Sequence, residues 1–248
     1  MTKKISPVRP LPTLESGLQC TVASARDQPV LGSSLREILA GVSIKSCPST
    51  LNFHIHTVFS DGRMQPEEVV EQAIAARVGH ISITDHHTVE GYRVAKRILD
   101  RLTQEQPSQS IPKIWVGVEI NASLIFNEVH ILGYDFDPEH ELMQPYLEGH
   151  TTAGLDYQCT SVINAIHGAG GLAILAHPAR YRRSAEDLVA AAVNFGIDGL
   201  ETYYGYDHCD PWYPTAKQLA VVKPLADTYG LLHTCGTDSH GLKISRRL

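Results

Sequence analysis

The chain has 248 residues, 43% of them hydrophobic and 19% charged, with a formal net charge of -6 at pH 7. This length suits one sizeable core, and two full domains would be a tight fit. Residues 50–248 hold 15 basic and 24 acidic residues, a balance of -9, which argues against a protein that tracks long duplex nucleic acid but permits a short phosphorylated substrate.

Residues 1–49 are rich in Pro, Ser and small polar residues, and we interpret them as an N-terminal extension or arm before a domain at 50–248. A terminus without a function would look the same. One short helix is expected at 34–40, where three apolar residues share a face. No apolar segment typical of a signal peptide precedes Cys20, and no run approaches the length of a membrane span. The five scattered cysteines favour neither a disulfide framework nor a thiolate zinc site, so we expect a cytoplasmic protein.

From residue 51 onward, apolar runs alternate with helical patterns. Strands are predicted at 51–56, 80–85, 114–120, 129–136, 172–176, 199–204 and 231–234. Helices are predicted after Pro66 and at about 89–104, 155–167, 185–195 and 214–229. Repeated β-then-α units favour an α/β fold with parallel strands joined by right-handed crossovers, and about seven strands suit a barrel or a strongly curled sheet.

Metal-binding residue types cluster where the first strand ends. His54 and His56 are one residue apart in an extended run, so both side chains project to the same side and can share one metal. A pair of core or surface histidines would give the same spacing. Asp61 follows in Ser-Asp-Gly, a sequence typical of a turn, which keeps this carboxylate near the same edge.

The next candidates follow the second and third strands. His86 leaves the second strand in Thr-Asp-His, whereas the adjacent His87 would point elsewhere and is excluded. Asp85 either fixes the tautomer of a ligand histidine or caps the following helix. Glu119 lies between two apolar residues, so its carboxylate needs a partner or a cation, and a bridge between two metals would meet that need. His130, judged from its surroundings alone, fits a core histidine better than a ligand.

The last candidates lie after the later strands. His177 precedes a proline that ends its strand at the rim. Asp238 and His240 repeat the two-residue spacing of the first pair, and glycines on both sides allow a tight exposed loop. Together, nearly all of these clusters fall at strand exits, where parallel barrels place their chemistry. This joint pattern predicts a polynuclear hydrolytic metal site.

The ordered motifs His54-x-His56, Asp61, Thr-Asp-His86, Val-Glu119-Ile, His130, Ala-His177-Pro and Asp238-x-His240 resemble the polymerase and histidinol phosphatase (PHP) family over residues 51–241. The resemblance implies a distorted seven-stranded (β/α)7 TIM-like barrel with a trinuclear site. One metal would be bound by His54, His56, Glu119 and Asp238. A second would be bound by Glu119, His130 and His177, and a third by Asp61, His86 and His240.

Within that family the chain is most similar to nucleoside phosphate and bisphosphate phosphatases. Such enzymes often carry an inserted domain between the positions of His130 and His177, where this chain has only 46 residues. The resemblance therefore implies metal-dependent hydrolysis of a small phosphorylated substrate, such as a nucleotide or short oligonucleotide, by a metal-bridging hydroxide. Two or three divalent or trivalent ions, Mn, Fe or Zn, suit the nitrogen and oxygen ligands.

Positive side chains near the ligands are candidates for substrate binding. Arg180 is the first choice, because a planar guanidinium suits bidentate contact with phosphate. Arg182 and Arg183 fit a solvent-exposed approach to a helix. His208 is a candidate to bind phosphate or to donate a proton to the leaving group. Two other functions stay open: hydrolysis of a C–N bond on the same metals, and a non-catalytic metal-stabilised binding module.

Overall fold

The computed structural model describes residues 34–248 and has a mixed α/β fold. Within this range the strands are β1 (Leu51–Asn52), β2 (His80–Ser82), β3 (Lys113–Trp115), β4 (Gly117–Leu124), β5 (Asn127–Tyr134), β6 (Leu172–Leu175), β7 (Gly199–Tyr203) and β8 (Leu232–Cys235). The α-helices are α1 (Leu35–Ala40), α2 (Pro66–Ala75), α3 (Glu90–Glu105), α4 (Cys159–Gly168), α5 (Ala185–Asn194) and α6 (Ala216–Tyr229). The predicted alternation of strands and helices is confirmed.

Local sequence signals explain where the helices begin and end. Helix α2 begins at Pro66, and the side chain of Glu68 accepts a hydrogen bond from the backbone N–H of Gln65, as in a capping box. Helix α5 begins after Ser184, whose hydroxyl accepts from the backbone N–H of Asp187. Helix α6 ends at Gly230, which adopts a left-handed conformation with φ 63°.

The strands form two sheets. One contains β1, β2 and β3, all parallel, and the other has the order β4-β5-β6-β7-β8. Strands β6, β7 and β8 are parallel, but β5 is antiparallel to both β4 and β6. The expectation of parallel strands throughout was therefore wrong for residues 117–134. Here Ile125 and Phe126 form a two-residue loop, which can join only antiparallel strands.

Backbone hydrogen bonds also connect the two sheets. The N–H of Phe53 donates to the Cys235 carbonyl at 3.1 Å, and the N–H of His56 donates to the Ser239 carbonyl at 3.0 Å. On the other side, the N–H of Glu119 donates to the Asp85 carbonyl at 3.2 Å. The first two bonds join the C-terminal ends of β1 and β8, and the third joins the segment after β2 to β4. Because the described strands number eight in two sheets, the closed barrel of seven strands stays a prediction.

Three groups of buried apolar side chains form the core. One lies between the larger sheet and helices α4, α5 and α6, and another surrounds the smaller sheet with α2 and α3. The third includes Leu35 and Leu39 of α1, packed with Phe53 and Tyr134. The predicted helix at 34–40 is thus confirmed and contacts the core, while the rest of the predicted extension, residues 1–33, lies outside the described residues.

The structure also bears on the predictions about cysteines and membrane spans. The described cysteines, at positions 47, 159, 209 and 235, are free thiols. None of the helices within residues 34–248 combines the length and apolar character that crossing a membrane requires.

Candidate metal centre

The nine side chains that the sequence predicted as metal ligands lie together at one end of the strands. They come from segments that follow β1, β2, β6 and β8 and from the paired strands β4 and β5. Three overlapping groups have ligand atoms close enough to hold metal ions: His54, His56, Glu119 and Asp238; His56, Asp61, His86 and His240; and His86, Glu119 and His130. The ninth, His177, places Nε2 3.2 Å from Oε1 of Glu119.

The first group has the spacing of a tetrahedral metal site. The Nε2 atoms of His54 and His56 are 3.1 Å apart, and each lies 3.1 Å from Oε2 of Glu119. Oδ1 of Asp238 lies 3.3 Å from the first nitrogen and 3.2 Å from the second. Metal–ligand bonds of about 2.0–2.1 Å place tetrahedral ligand atoms about 3.3 Å apart. The donors therefore fit one ion at their centre.

Glu119 connects this group to the others. Its Oε2 faces His54 and His56, whereas its Oε1 lies 2.7 Å from Nδ1 of His130 and 3.2 Å from Nε2 of His177. Nε2 of His86 is 3.5 Å from Oε2. A carboxylate whose two oxygens face different sets of nitrogens has the geometry of a bridging ligand. This arrangement also shows why His130 belongs to the cluster: the antiparallel hairpin places β5 beside β4.

Asp61 lies at the outer side of the cluster and is half exposed. Its Oδ2 is 3.1 Å from Nε2 of His240 and 3.8 Å from Nε2 of His86. Its Oδ1 is 3.4 Å from Nδ1 of His56, whose other ring nitrogen faces Glu119. The His56 ring thus lies between two groups of candidate ligands, with Nδ1 toward one and Nε2 toward the other.

Glu201 is a buried carboxylate that orients candidate ligands without facing the centre itself. Nδ1 of His54 lies 2.8 Å from Oε1 of Glu201, and the backbone N–H of His177 donates to Oε2 at 3.0 Å. Donation from Nδ1–H fixes the tautomer of His54 and leaves the Nε2 lone pair for a cation. The sequence alone does not reveal this role, because a carboxylate in the middle of β7 gives no local sign of a partner 147 residues away.

Asp238 is held from the side opposite the histidines. The hydroxyl of Tyr204 donates to Oδ2 at 2.6 Å, and Nε of Arg247 donates to the same oxygen at 2.7 Å. A guanidinium nitrogen of Arg180 lies 3.5 Å from this oxygen. Two arginines therefore flank the centre. The role of Tyr204 has no local sign in the sequence, because this residue lies 34 positions from Asp238.

Asp85 stabilises the loop that carries Asp61. Its carboxylate accepts hydrogen bonds from the backbone N–H and the hydroxyl of Thr57, both at 2.6 Å, and from the hydroxyl of Ser60 at 2.8 Å. The two roles predicted from sequence, fixing a ligand tautomer and capping a helix, do not match these bonds. His87 faces elsewhere, as predicted, because its Nε2 accepts from the backbone N–H of Asn121.

The buried carboxylates and histidines of the cluster strongly shift one another's pKa values. Burial would raise the pKa values of Glu119 and Asp238, but the neighbouring histidines, His54 foremost, hold both pKa values well below their usual range. Burial lowers the pKa of His56, yet contacts with the two carboxylates outweigh it and raise that pKa to about 9. The charged carboxylates thus retain protons on nearby histidines, and bound metal ions would displace those protons.

The neutral histidines suit ligation. Burial lowers the pKa of His86 to about 4, and it also lowers the pKa of His177. An imidazole must be neutral to bind a metal, so these two rings are ready to do so at neutral pH. In addition, Nδ1 of His177 is buried without a hydrogen-bond partner among the described residues. Imidazole nitrogens and carboxylate oxygens without thiolates fit Mn, Fe or Zn.

The backbone near the ligands is unusually constrained. His177 and Asp238 adopt positive φ angles of 29° and 51°, a region that is sparsely populated for residues other than glycine. Gly236 passes so close to His54 that a Cβ on the glycine would lie 2.1 Å from the histidine Cβ. Glycine is therefore required at this position for the close approach of the two segments.

The two predicted substrate-binding residues lie on the side of Asp238. Arg180 contacts its carboxylate directly, as described above. His208 is exposed, and its pKa is lowered by burial of part of its ring and then by the positive charges of Arg247 and Arg180. The charges of Arg180 and Arg247 thus both act on the ring of His208.

Known proteins resemble this chain in sequence and fold. A family model described as PHP domain matches residues 52–220. The 5'-3' exoribonuclease Rnm of Salmonella typhimurium is 34% identical over 100 residues, which are 40% of this chain and 32% of that protein. This chain therefore matches about a third of the length of that relative.

Two proteins from Chromobacterium violaceum match a larger part of the chain. The 3',5'-nucleoside bisphosphate phosphatase is 24% identical, with 77% of this chain and 87% of that protein covered. A solved structure described as an amidohydrolase with bound sulfate and no metal has a TM-score of 0.62 at 19% identity. It covers 77% of this chain and 88% of the other, and at this identity the likeness concerns the fold alone.

Proposed function

This chain belongs to the PHP family, and from that premise we propose that it is a metal-dependent phosphoesterase that hydrolyses a phosphomonoester of a nucleotide or a related small molecule at a trinuclear metal site. In this proposal the nine clustered histidines and carboxylates are the metal ligands. The catalytic domain spans residues 50–248, and residues 1–49 are an extension.

The spacing of the first group of ligands carries this proposal. Two imidazole nitrogens and two carboxylate oxygens lie 3.1–3.3 Å from one another in all five of the measured pairs. Without a cation, the atoms of this group that face one another would have to share protons, because burial keeps water from them. Oε1 of Glu119 faces the ring nitrogens of His130 and His177, and a second group of candidate ligands includes Asp61. Both observations support binding of additional metal ions next to the first.

Bound Mn, Fe or Zn ions would make a water molecule nucleophilic and would neutralise charge on the phosphate. Arg180 and Arg247 can donate hydrogen bonds to the remaining phosphate oxygens as negative charge develops on them. Burial of part of its ring and the positive charges of Arg247 and Arg180 lower the pKa of His208. Its two predicted roles, a hydrogen bond to phosphate and proton donation to the leaving group, both stay in this proposal.

The relatives support a nucleotide-like substrate. One is named for a nucleoside bisphosphate and another for cleavage of RNA from its 5' end. The segment between His130 and His177 contains 46 residues, so selection by a large insertion is not expected in this chain. An open site on the side of Arg180 suits both a mononucleotide and the end of a short strand.

The proposal is tested by removing bound metals from the protein, reconstituting it separately with Mn, Fe and Zn, and measuring hydrolysis of a panel of phosphomonoesters and phosphodiesters. We expect metal-dependent phosphate release from nucleotides that falls at least about a thousandfold in the variants Asp238→Ala and His86→Ala. Metal content of each variant, measured by elemental analysis, separates loss of metal from loss of fold. Turnover that survives both substitutions would refute the assignment.

The same panel distinguishes the two other functions considered from sequence. Hydrolysis of amides with none of phosphate esters would establish C–N bond cleavage instead. Stoichiometric metal binding without hydrolysis of any substrate would favour a binding module. Retention of all nine candidate ligands in one cluster favours an enzyme over such a module.

A further inference from the structure

An open groove of about 430 Å³ lies beside the tip of the β4–β5 hairpin. It is lined by Phe126, Asn127, Arg182, Arg183, Ser184 and Asp187. An aromatic ring and two guanidinium groups thus share one concave surface outside the metal centre. We propose that this groove binds a nucleotide of a single-stranded oligonucleotide whose terminal phosphate occupies the metal centre, an inference that rests on the proposed function.

Phe126 lies at the tip of the hairpin and makes no contribution to the apolar core. The residue is fully exposed. It also adopts φ 62°, next to Ile125 at φ 43°, in a two-residue hairpin loop. Such loops favour Asn-Gly because both residues need a positive φ, which is unfavourable for branched and bulky side chains. An exposed aromatic at a strained position points to a function in binding.

The charged residues of the groove suit a phosphate backbone. Arg182 and Arg183 are exposed, and within residues 34–248 Arg182 forms no ion pair. Arg183 lies 3.8 Å from Asp187, a solvent-exposed pair in which the guanidinium keeps other donors free. Arginines beside an aromatic ring that can stack on an unpaired base are the usual elements of single-strand binding.

The two segments that line the groove also carry residues of the metal centre. The hairpin carries Glu119 and His130, and Asn127 lies three residues from the latter, about 10 Å along an extended strand. The other segment begins at Arg180 and passes Tyr181, whose hydroxyl accepts from the backbone N–H of His130 at 2.8 Å. About 10 Å corresponds to roughly three steps of a stacked strand. The groove is therefore placed to bind a residue a few nucleotides from the scissile phosphate.

A base paired in a duplex cannot stack on Phe126, so the occupant is single-stranded. A mononucleotide in the metal centre is too short to reach the groove. The inference thus predicts a preference for oligonucleotides over mononucleotides, which the metal centre alone does not provide.

The test compares binding of a fluorescein-labelled oligoadenylate of five nucleotides with binding of labelled AMP, by fluorescence anisotropy on the metal-loaded protein; in this binding assay both ligands carry a phosphorothioate at the terminal phosphate to resist hydrolysis. We expect the wild-type full chain to bind the pentanucleotide at least about tenfold more tightly. The double variant Arg182→Ala/Arg183→Ala should lower this ratio and reduce the slope of log affinity against log salt by about 1.4, or about 0.7 for each phosphate that is no longer neutralised. Arg97→Ala, an exposed arginine on α3, is the matched control.

The variant Phe126→Asn tests the contribution of the aromatic ring to oligonucleotide binding separately from any effect on folding. Asparagine tolerates a positive φ, so the melting temperature should be maintained or rise, while affinity for the pentanucleotide should fall roughly 5- to 150-fold, the range for loss of one base–aromatic stack. Leu155→Asn, which also replaces an exposed apolar side chain, should leave affinity unchanged. Equal binding of pentanucleotide and AMP by the wild type would overturn the inference, as would groove variants that behave like the controls. Displacement of the strand by an acidic, tyrosine-containing peptide as effectively as by unlabelled strand would overturn the nucleotide assignment.

Hydrolysis assays on the same two ligands, with an unmodified terminal phosphate and added Mn²⁺, separate the two proposals. If the wild type hydrolyses neither ligand but the pattern of binding holds, the proposed function fails and the groove assignment stands. If it hydrolyses AMP without any preference for length in binding or turnover, the proposed function stands and the groove assignment fails.

Discussion

Replacing Glu201 by glutamine tests whether a carboxylate outside the ligand set controls the metal centre. The two oxygens of Glu201 accept hydrogen bonds from Nδ1–H of His54 at 2.8 Å and from the backbone N–H of His177 at 3.0 Å. A glutamine has only one side-chain oxygen, so one of these two donors would face an NH2 group instead. The substitution changes no volume, and its effect therefore reports hydrogen bonding and charge.

The expected loss of metal affinity in Glu201→Gln follows from the loss of one buried hydrogen bond. A buried donor left without a partner costs about 1–3 kcal/mol. Loss of an outer-shell carboxylate weakens metal affinity by about 10–100-fold, which corresponds to about 1.4–2.7 kcal/mol. The two ranges overlap, so we expect Glu201→Gln to bind Mn²⁺ about 10–100-fold more weakly than the wild type.

Competition with a chromophoric chelator measures this affinity directly, and hydrolysis of a nucleotide measured at saturating metal shows whether activity is restored. Glu71→Gln, an exposed carboxylate on α2, is the matched control and should behave as the wild type. A Glu201→Gln protein with wild-type metal affinity would refute the view that Glu201 orients His54 for metal binding.

Two further predictions concern pH and backbone space. In the metal-free protein the pKa of His56 is raised from 6.5 to about 9, so its contribution to stability is present below pH 6.5 and is lost as the pH rises through about 9. Urea unfolding of metal-free protein at pH 6 and pH 9.5 should show a loss of up to about 3 kcal/mol, and no loss over this range would contradict it. Gly236→Ala should displace His54 and abolish binding of at least one metal ion, as measured by elemental analysis, because the new Cβ would lie 2.1 Å from the histidine Cβ. Gly41→Ala, whose new Cβ would meet only an ordinary contact at 3.5 Å, should retain full metal content.

Most residues of the candidate site could be predicted from the sequence because they follow the C-terminal ends of predicted strands. His54, His56, His177 and Asp238 follow parallel strands, and the C-terminal ends of parallel strands share one edge, so their proximity follows from local patterns. His130 could not be found in this way. It lies within β5, and only the antiparallel pairing with β4 places it beside Glu119, so family resemblance was needed to include it.

The features that sequence reasoning missed depend on long-range geometry. The hairpin loop at Ile125 and Phe126 lacks the Asn-Gly signal of a tight turn, so the change from parallel to antiparallel pairing left no local sign. Glu201 and Tyr204 act on ligands that are distant in the sequence, and their roles depend on the register between β7 and its neighbours. Tertiary packing brings such distant residues together, and the hydrophobic periodicity of the sequence does not show which residues will meet.

Backbone bonds between the sheets bear on the predicted barrel. The bonds of Phe53 to Cys235 and of His56 to Ser239 connect the end of β1 to β8 and the segment after it, and that of Glu119 to Asp85 connects β4 to the segment after β2. These bonds join the two sheets, and closure into a barrel of seven strands stays a prediction.

Anomalous diffraction from crystals grown with Mn²⁺, recorded at the manganese edge, tests the central claim most directly. The claim is that Glu119 bridges metal ions held by the nine clustered side chains. We expect one peak within about 2.3 Å of Nε2 of His54 and His56, and a second on the other oxygen of Glu119, facing His130 and His177. Anomalous peaks confined to other parts of the protein, or none in crystals of protein that retains its fold, would contradict it.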